Sequence, residues 1–212
     1  TKIRSLSHSM STLLAEKNFI KNVVIIPNRV NLNLFSSNKQ NYKLHKPIKV
    51  ISIGRFVEQK GYDIAIEALK NLSPEYNIEL YLIGGGILHD KLQRLSKGFN
   101  NIKLIKWIEQ KELKKLLYNS DIYIQPSKPY LGEAMPRTIL EAMAMKIPII
   151  STNIAAIPGV LSDKNSILIN PNSIDELMNA IIVLIQNNDF REKIAEQAYC
   201  DVVNKYEWNK VF

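Results

Sequence analysis

The chain has 212 residues, 46% of them hydrophobic and 23% charged, an ordinary globular composition with room for one sizeable domain or one domain plus part of another. Its 28 Lys and Arg against 20 Asp and Glu give a net charge of +8, and the one cysteine, Cys200, excludes an intramolecular disulfide and fits a reducing compartment. No apolar run approaches the roughly 18–20 residues of a membrane span, and a chain that begins at Thr1 without a signal peptide reads as a piece excised from a longer protein.

The predicted elements start with a helix in SLSHSMSTLLAEKNF (5–19) and a short buried strand in NVVIIP (22–27). Residues 28–47 are polar, asparagine-rich and non-periodic, which suits a linker. The charge is concentrated here: residues 1–49 carry nine Lys or Arg and one acid, Glu16, whereas residues 50–212 balance at nineteen of each sign. A basic quarter spread in this way is, in its plain reading, a solvated surface. The functional alternative is a face turned toward an anionic membrane or a phosphate-bearing acceptor.

From Ile48 the pattern alternates. IKVISIG (48–54) is a strand followed by a helix in GYDIAIEALKNL. IELYLIG (78–84) leads to a helix near HDKLQRLSKG, and IKLIKWI (102–108) to EQKELKKLLYNS. DIYIQPS (121–127) leads to a helix in PRTILEAMAM, then come strands PIISTN (148–153) and SILIN (166–170) and two long helices from Ser173 and Asp189. Continuous apolar strands alternating with helices predict an α/β, Rossmann-like parallel sheet covered by helices on both faces. Ligands of such sheets bind outside the carboxyl ends of the strands.

Three strand ends carry candidate chemistry. In GRFVEQKG (54–61), Gly54 lets the chain turn, and Arg55 and Lys60 flank a loop that enters a helix. Two fixed cations there suit a diphosphate, since Arg offers a planar fork and Lys a point charge; the bland reading is a surface turn with two solvated cations. The order Lys-Gly is not a Walker A loop. GGG at 84–86 lacks the spacing of a dinucleotide fingerprint and serves either a close backbone approach to a ligand or a tight turn. In GEAMPRTILEAM (132–143), Pro136 suits the first helical position, whose neighbours point free N–H groups at an anion. Glu133 beside such a mouth makes sense if it accepts hydrogen bonds from neutral hydroxyls. Glu141 is the only charge in TILEAMAM, and a lone acid in such a helix usually marks its exposed face.

Taken together, GR-x4-KG followed by the E-x7-E pair in GEAMPRTILEAMAMKIPII resembles the C-terminal, donor-binding domain of the retaining GT-B enzymes of glycosyltransferase family 4. IPNRVNLNLF resembles the segment joining that family's two domains and YEWNKVF its late segment, so the likeness covers nearly the whole chain. It implies an end of the N-terminal (acceptor) domain and the interdomain linker over 1–47, and a nucleotide-sugar-binding domain over 48–212. It also implies that Arg55 and Lys60 bind the donor diphosphate beside Gly54 and that Glu133 contacts sugar hydroxyls. Backbone N–H groups around Ala134, Met135 and Pro136 would surround the phosphates, Glu141 would hold the ribose, and Trp107 and Ile108 would lie near the base. Lys146, Arg29, Asn31 and Ser166 depart from residues common in that family, and AAIPGVL lacks its glycine pair.

The implied reaction is transfer of a sugar, with retention, from a nucleotide-diphosphate donor to a glycan or lipid-linked acceptor in polysaccharide, lipopolysaccharide or glycolipid assembly, family frequency favouring a UDP-sugar. In this reading Glu133, Arg55 and Lys60 are the catalytic set, with Glu133 positioning the sugar. No metal is expected: His8, His45 and His89 are isolated, and the fixed cations occupy the role a metal has in other glycosyltransferases. The fragment would bind donor without turnover, in the cytoplasm or at the cytoplasmic face of the membrane. Another GT-B enzyme, such as a phosphorylase or a nucleotide-sugar epimerase, is the nearest alternative. A basic nucleic-acid-binding module is weaker, because residues 50–212 are neutral and no aromatic-studded basic stripe is present.

Overall fold

The computed structural model describes residues 3–5, 11–12, 23–38, 41–129 and 135–210. Strands β1 (Ile3–Ser5) and β2 (Val23–Ile25) form a small parallel pair. Ser5, expected to open a helix, instead closes β1, and most of the helix expected over 5–19 lies outside the described residues.

The main sheet has six parallel strands: β3 (Ile48–Ile53), β4 (Ile78–Ile83), β5 (Ile102–Ile105), β6 (Ile122–Gln125), β7 (Ile149–Thr152) and β8 (Ile167–Ile169). Their spatial order is β5-β4-β3-β6-β7-β8, so the order reverses between β3 and β6. The expected parallel sheet is therefore present, and its switch-point crevice lies outside Ile53 and Gln125. Strand β5 stops at Ile105, short of the expected 108. Its partner β4 ends at Ile83, the residue registered with Ile105, and no ladder is left to extend the strand.

Helices cover both faces, as continuous apolar strands require. On one face α1 (Tyr62–Leu72), α2 (His89–Leu95) and α5 (Ile174–Gln186) pack on Val50, Leu80, Ile122 and Ile150. On the other, α3 (Gln110–Tyr118), α4 (Arg137–Ala144) and α6 (Asn188–Lys205) meet Ile51, Ile53, Tyr123 and Ile149. Each fully buried Ile or Leu contributes about 1.5–3 kcal/mol by leaving water. The last two helices start at side-chain caps: Ser173 Oγ accepts from the Glu176 amide (3.1 Å) and Asn187 Oδ1 from the Phe190 amide (2.9 Å).

Among its described residues, the stretch expected as a linker has no regular element over 31–38 and 41–47, yet these are not loose. Val30, Phe35 and Tyr42 are buried. The Val30 amide donates to the Tyr206 carbonyl and the Trp208 amide to the Val30 carbonyl, both at 3.0 Å. Arg191 fixes the other end of the stretch: its buried guanidinium donates twice to the Tyr42 carbonyl (3.2 and 2.9 Å) and to the carbonyls of Leu184 and Ile185 at the end of α5. A cation suits the negative end of a helix dipole.

Candidate functional site

At the carboxyl end of β3 the chain turns at Gly54 and is stitched to its neighbours. The Phe56 amide donates to the Gly85 carbonyl (2.9 Å) and the Leu88 amide to the Phe56 carbonyl (3.0 Å), which locks the loop after β3 to the loop after β4. The GGG stretch thus serves a close backbone approach, but to this loop: a Cβ on Gly84 would stand 1.9 Å from the Gly54 carbonyl oxygen. Buried Phe56, edge-on to Tyr62 at 5.2 Å, anchors the loop, while Arg55 beside it is exposed.

A 3-10 turn, Glu58–Lys60, carries the chain to Gly61, which has a left-handed φ of 64° and packs on the residue after β6: a Cβ there would lie 1.9 Å from the Pro126 carbonyl oxygen. The Lys128 amide donates to the Gln59 carbonyl (2.8 Å), tying this loop across the switch point. The stem of Lys60 lies over Gly54, where a methyl group would be 3.4 Å from Lys60 Cε. Glu58 is held by Lys91 (2.7 Å) and Lys128 (3.5 Å), which lower its carboxyl below the usual range, with Lys91 the larger influence. Lys128 also closes on Asp63 at 2.6 Å. The acids near the loop are thus neutralised, whereas Arg55 makes no ion pair among the described residues.

After β5 the Trp107 indole is exposed and lies against Gly85, 3.5 Å from where a Cβ would be. Ile108 turns its side chain into the packed face, so its backbone is what it can offer a ligand.

Across the switch point, Glu133 and Ala134 lie outside the described residues. Met135 is buried and its carbonyl accepts from Asn28 Nδ2 (2.7 Å). Pro136 is the cap of α4, one residue earlier than expected, with Arg137 as first helical residue; a ψ of 124° keeps the proline extended. Beneath this mouth runs a polar network that the sequence did not reveal. Tyr123 Oη lies 2.9 Å from Gln125 Oε1 and 2.8 Å from Thr138 Oγ1, Gln125 Nε2 donates to Ser127 Oγ (2.8 Å), and Thr152 Oγ1 donates to the Ser127 carbonyl (2.8 Å). Polar residues inside IYIQPS were its only signal.

Glu141 is where the structure departs most from its plain reading. It is not an exposed face: it lines a cavity of about 200 Å³ with Arg29, Asn31, Gln110, Arg137 and Trp208. Burial pushes its carboxyl up to about 7, against a smaller opposing pull from Arg137. Two of the residues that depart from the resembled family, Arg29 and Asn31, are therefore walls of the Glu141 cavity, together with Trp208 of YEWNKVF.

Ala155 and Lys146, two further departures, both hold left-handed backbone, at φ 50° and 55°. These are conformations that favour glycine. Among the described residues there is no cluster of three or more His, Cys, Asp or Glu able to hold a metal, and no helix long and apolar enough to cross a membrane.

Residues 35–201 match the model of the family described as glycosyl transferases group 1. The amylovoran biosynthesis glycosyltransferase AmsK of Erwinia amylovora is 29% identical over 182 residues, covering 82% of this chain and 43% of that protein. The chain spans about half the length of the curated relatives it matches, 43%, 56% and 50% in three cases. The C-terminal domain of the group 1 glycosyl transferase LpcC from Francisella tularensis superposes with a TM-score of 0.72 at 26% identity, covering 84% of this chain and 99% of that domain. Anabaena Alr3699/HepE, solved in complex with UDP-glucose, reaches 0.82 at 20% identity over 97% of this chain and 60% of its own. The fold is that of the GT-B glycosyltransferases, and the chain belongs to the glycosyl transferases group 1 family.

Proposed function

We propose that residues 48–212 form the nucleotide-sugar-binding domain of a retaining glycosyltransferase, with 1–47 forming the end of the acceptor domain and the interdomain linker. The observation that carries this reading is the pairing, across one switch point, of a cation-bearing loop (Arg55, Lys60) with a sequestered acid on the facing helix (Glu141). Such an arrangement suits a ligand with a diphosphate at one end and hydroxyls within reach of the acid. HepE was solved with UDP-glucose, which favours a UDP-sugar here, and the name of AmsK favours cell-surface polysaccharide assembly on a glycan or lipid-linked acceptor.

In this mechanism the bond between the anomeric carbon and the diphosphate oxygen breaks while the acceptor oxygen bonds the same carbon on the same face. The acceptor proton passes to a donor phosphate oxygen. Negative charge grows on the leaving diphosphate, where Arg55 and Lys60 meet it without reorganising. Glu133 orients the sugar hydroxyls and Glu141 the ribose, with Trp107 near the base. No metal is required, so nucleotide binding persists in excess chelator; affinity lost with EDTA and restored by magnesium would defeat that part.

Calorimetry on Glu133→Gln and Glu141→Gln with UDP and a UDP-sugar tests the assignment. Glu141→Gln weakens both ligands, by about 1–2 kcal/mol, whereas Glu133→Gln weakens only the sugar conjugate. Equal loss of free UDP in the Glu133 variant reverses the roles.

A further inference from the structure

A second cavity lies at the other end of the sheet, away from the switch-point crevice. It opens between the start of β3 and the start of β6 and holds about 290 Å³. Lys43, His45, Lys46 and Lys49 line it, with Tyr118 at the rim and Asp121 as its sole acid. Asp121 is already engaged: its Oδ2 accepts from the Lys49 amide at 2.8 Å, and its own amide donates to the Lys49 carbonyl at 2.9 Å. Three lysines thus face one committed carboxylate.

Solvated lysines on an open surface diverge and relieve their mutual repulsion. Lys43 and Lys46 are exposed and Lys49 is half-buried, but all three line one concavity, which focuses their field on a small volume. Several lysines elsewhere on this body close on carboxylates: Lys91 on Glu58 at 2.7 Å, Lys103 on Glu79 at 2.8 Å, Lys128 on Asp63 at 2.6 Å. Lys43 and Lys46 have no such partner among the described residues, and Lys49 has only a distant one, Glu79 on the neighbouring strand. Three of the nine basic residues of the N-terminal quarter thus share one place.

We infer that this cavity is a binding site for a phosphate-bearing anion, separate from the switch-point crevice. Lysine ammonium groups suit compact phosphoryl groups, to which they present point charges, and the His45 imidazole adds a hydrogen-bonding group. The volume falls just below the roughly 300–1,000 Å³ of small-molecule pockets, so a diphosphate or a lipid headgroup fits and a second nucleotide sugar does not. Either would engage the body at the end opposite the crevice, leaving the crevice open.

The test titrates pyrophosphate into the isotope-labelled chain with the crevice saturated by UDP. Amide resonances of 43–46, 48–49 and 119–121 shift and saturate, and the combined Lys43→Ala and Lys46→Ala chain loses affinity by at least about tenfold. The corresponding Lys→Arg pair keeps it. Shifts that never saturate, or that persist in the double alanine chain, overturn the site. If the double variant unfolds, each single alanine variant must lose part of the affinity for the site to stand. Sedimentation with phosphatidylcholine vesicles, with and without phosphatidylglycerol, separates the sources. Lysine-dependent capture by the anionic vesicles assigns a lipid headgroup, and pyrophosphate binding without capture assigns a soluble phosphate.

Discussion

Gly84 and Gly54 meet backbone to backbone: the space a Gly84 side chain would need is filled by the Gly54 carbonyl, 1.9 Å from an ideal Cβ. With φ at 147°, Gly84 also occupies a region that side-chain-bearing residues rarely adopt. Gly84→Ala therefore costs about 3 kcal/mol or more, combining overpacking and backbone strain. Because Gly54 precedes Arg55, the same change displaces the cation loop. Denaturant unfolding and UDP calorimetry should register both losses, and a variant of native stability would contradict the contact.

Glu141 makes nucleotide binding and stability respond to pH in opposite senses. Its carboxyl, raised from 4.5 to about 7, favours the protonated form in the folded chain. That preference adds stability, at most about 3 kcal/mol, which is fully present below the unfolded value and is lost as pH rises through about 7. Ribose hydroxyls need an acceptor, so the ionised form binds nucleotide. Affinity for UDP should fall roughly tenfold from about pH 8 to about pH 6, beyond any change seen in Glu141→Gln. Identical pH profiles for the two chains would remove Glu141 from the ribose.

Arg55→Ala and Lys60→Ala should each weaken UDP by roughly 1.5–3 kcal/mol, the range for hydrogen bonds to charged groups. UMP should lose less. Equal losses for the two nucleotides in a side-by-side titration would place both cations away from the diphosphate.

Lys146 occupies a left-handed position and recovers part of the cost through its side chain, which reaches Glu196 Oε1 at 2.9 Å and lies 4.7 Å from the centre of the Tyr199 ring. The Tyr42 hydroxyl donates to the same Glu196 oxygen at 2.9 Å. Lys146→Ala keeps the strain and loses the contacts, at about 1–2 kcal/mol. Lys146→Gly loses the contacts but relieves the strain, so it should be the more stable of the two by about 1 kcal/mol. Ala155→Gly, which removes only a methyl group from a left-handed position, should stabilise by a similar amount. Thermal unfolding of the three variants checks the order.

The strand–helix alternation was legible because parallel strands buried on both faces must be apolar along their length, as IKVISI and IELYLI are. The cation loop and the proline at the helix mouth were legible for the same local reason: they sit where a strand ends. Glu141 was misleading because helical periodicity sees only its own helix. Within the helix Glu141 looks like a lone outward acid, and the cavity around it is completed by Arg29 and Trp208, distant in sequence at either side. The Tyr123–Gln125–Ser127 network was hidden in the same way, since its partners Thr138 and Thr152 belong to a helix and a strand further along.

The pairing of Val30 with Tyr206 and Trp208 means that the chain enters and leaves the main body at one point. Topologically, the body is a loop whose two ends already touch, so chain order is incidental to its assembly. A permuted chain should show this: residue 210 joined to residue 28 by a short glycine-serine bridge, and new termini opened at the exposed turn around Gly98, where a side chain would meet nothing within 4 Å. Such a chain should fold with the far-ultraviolet spectrum of an unpermuted 28–210 chain and bind UDP as that chain does, because neither the switch point nor its loops depend on where the polypeptide begins.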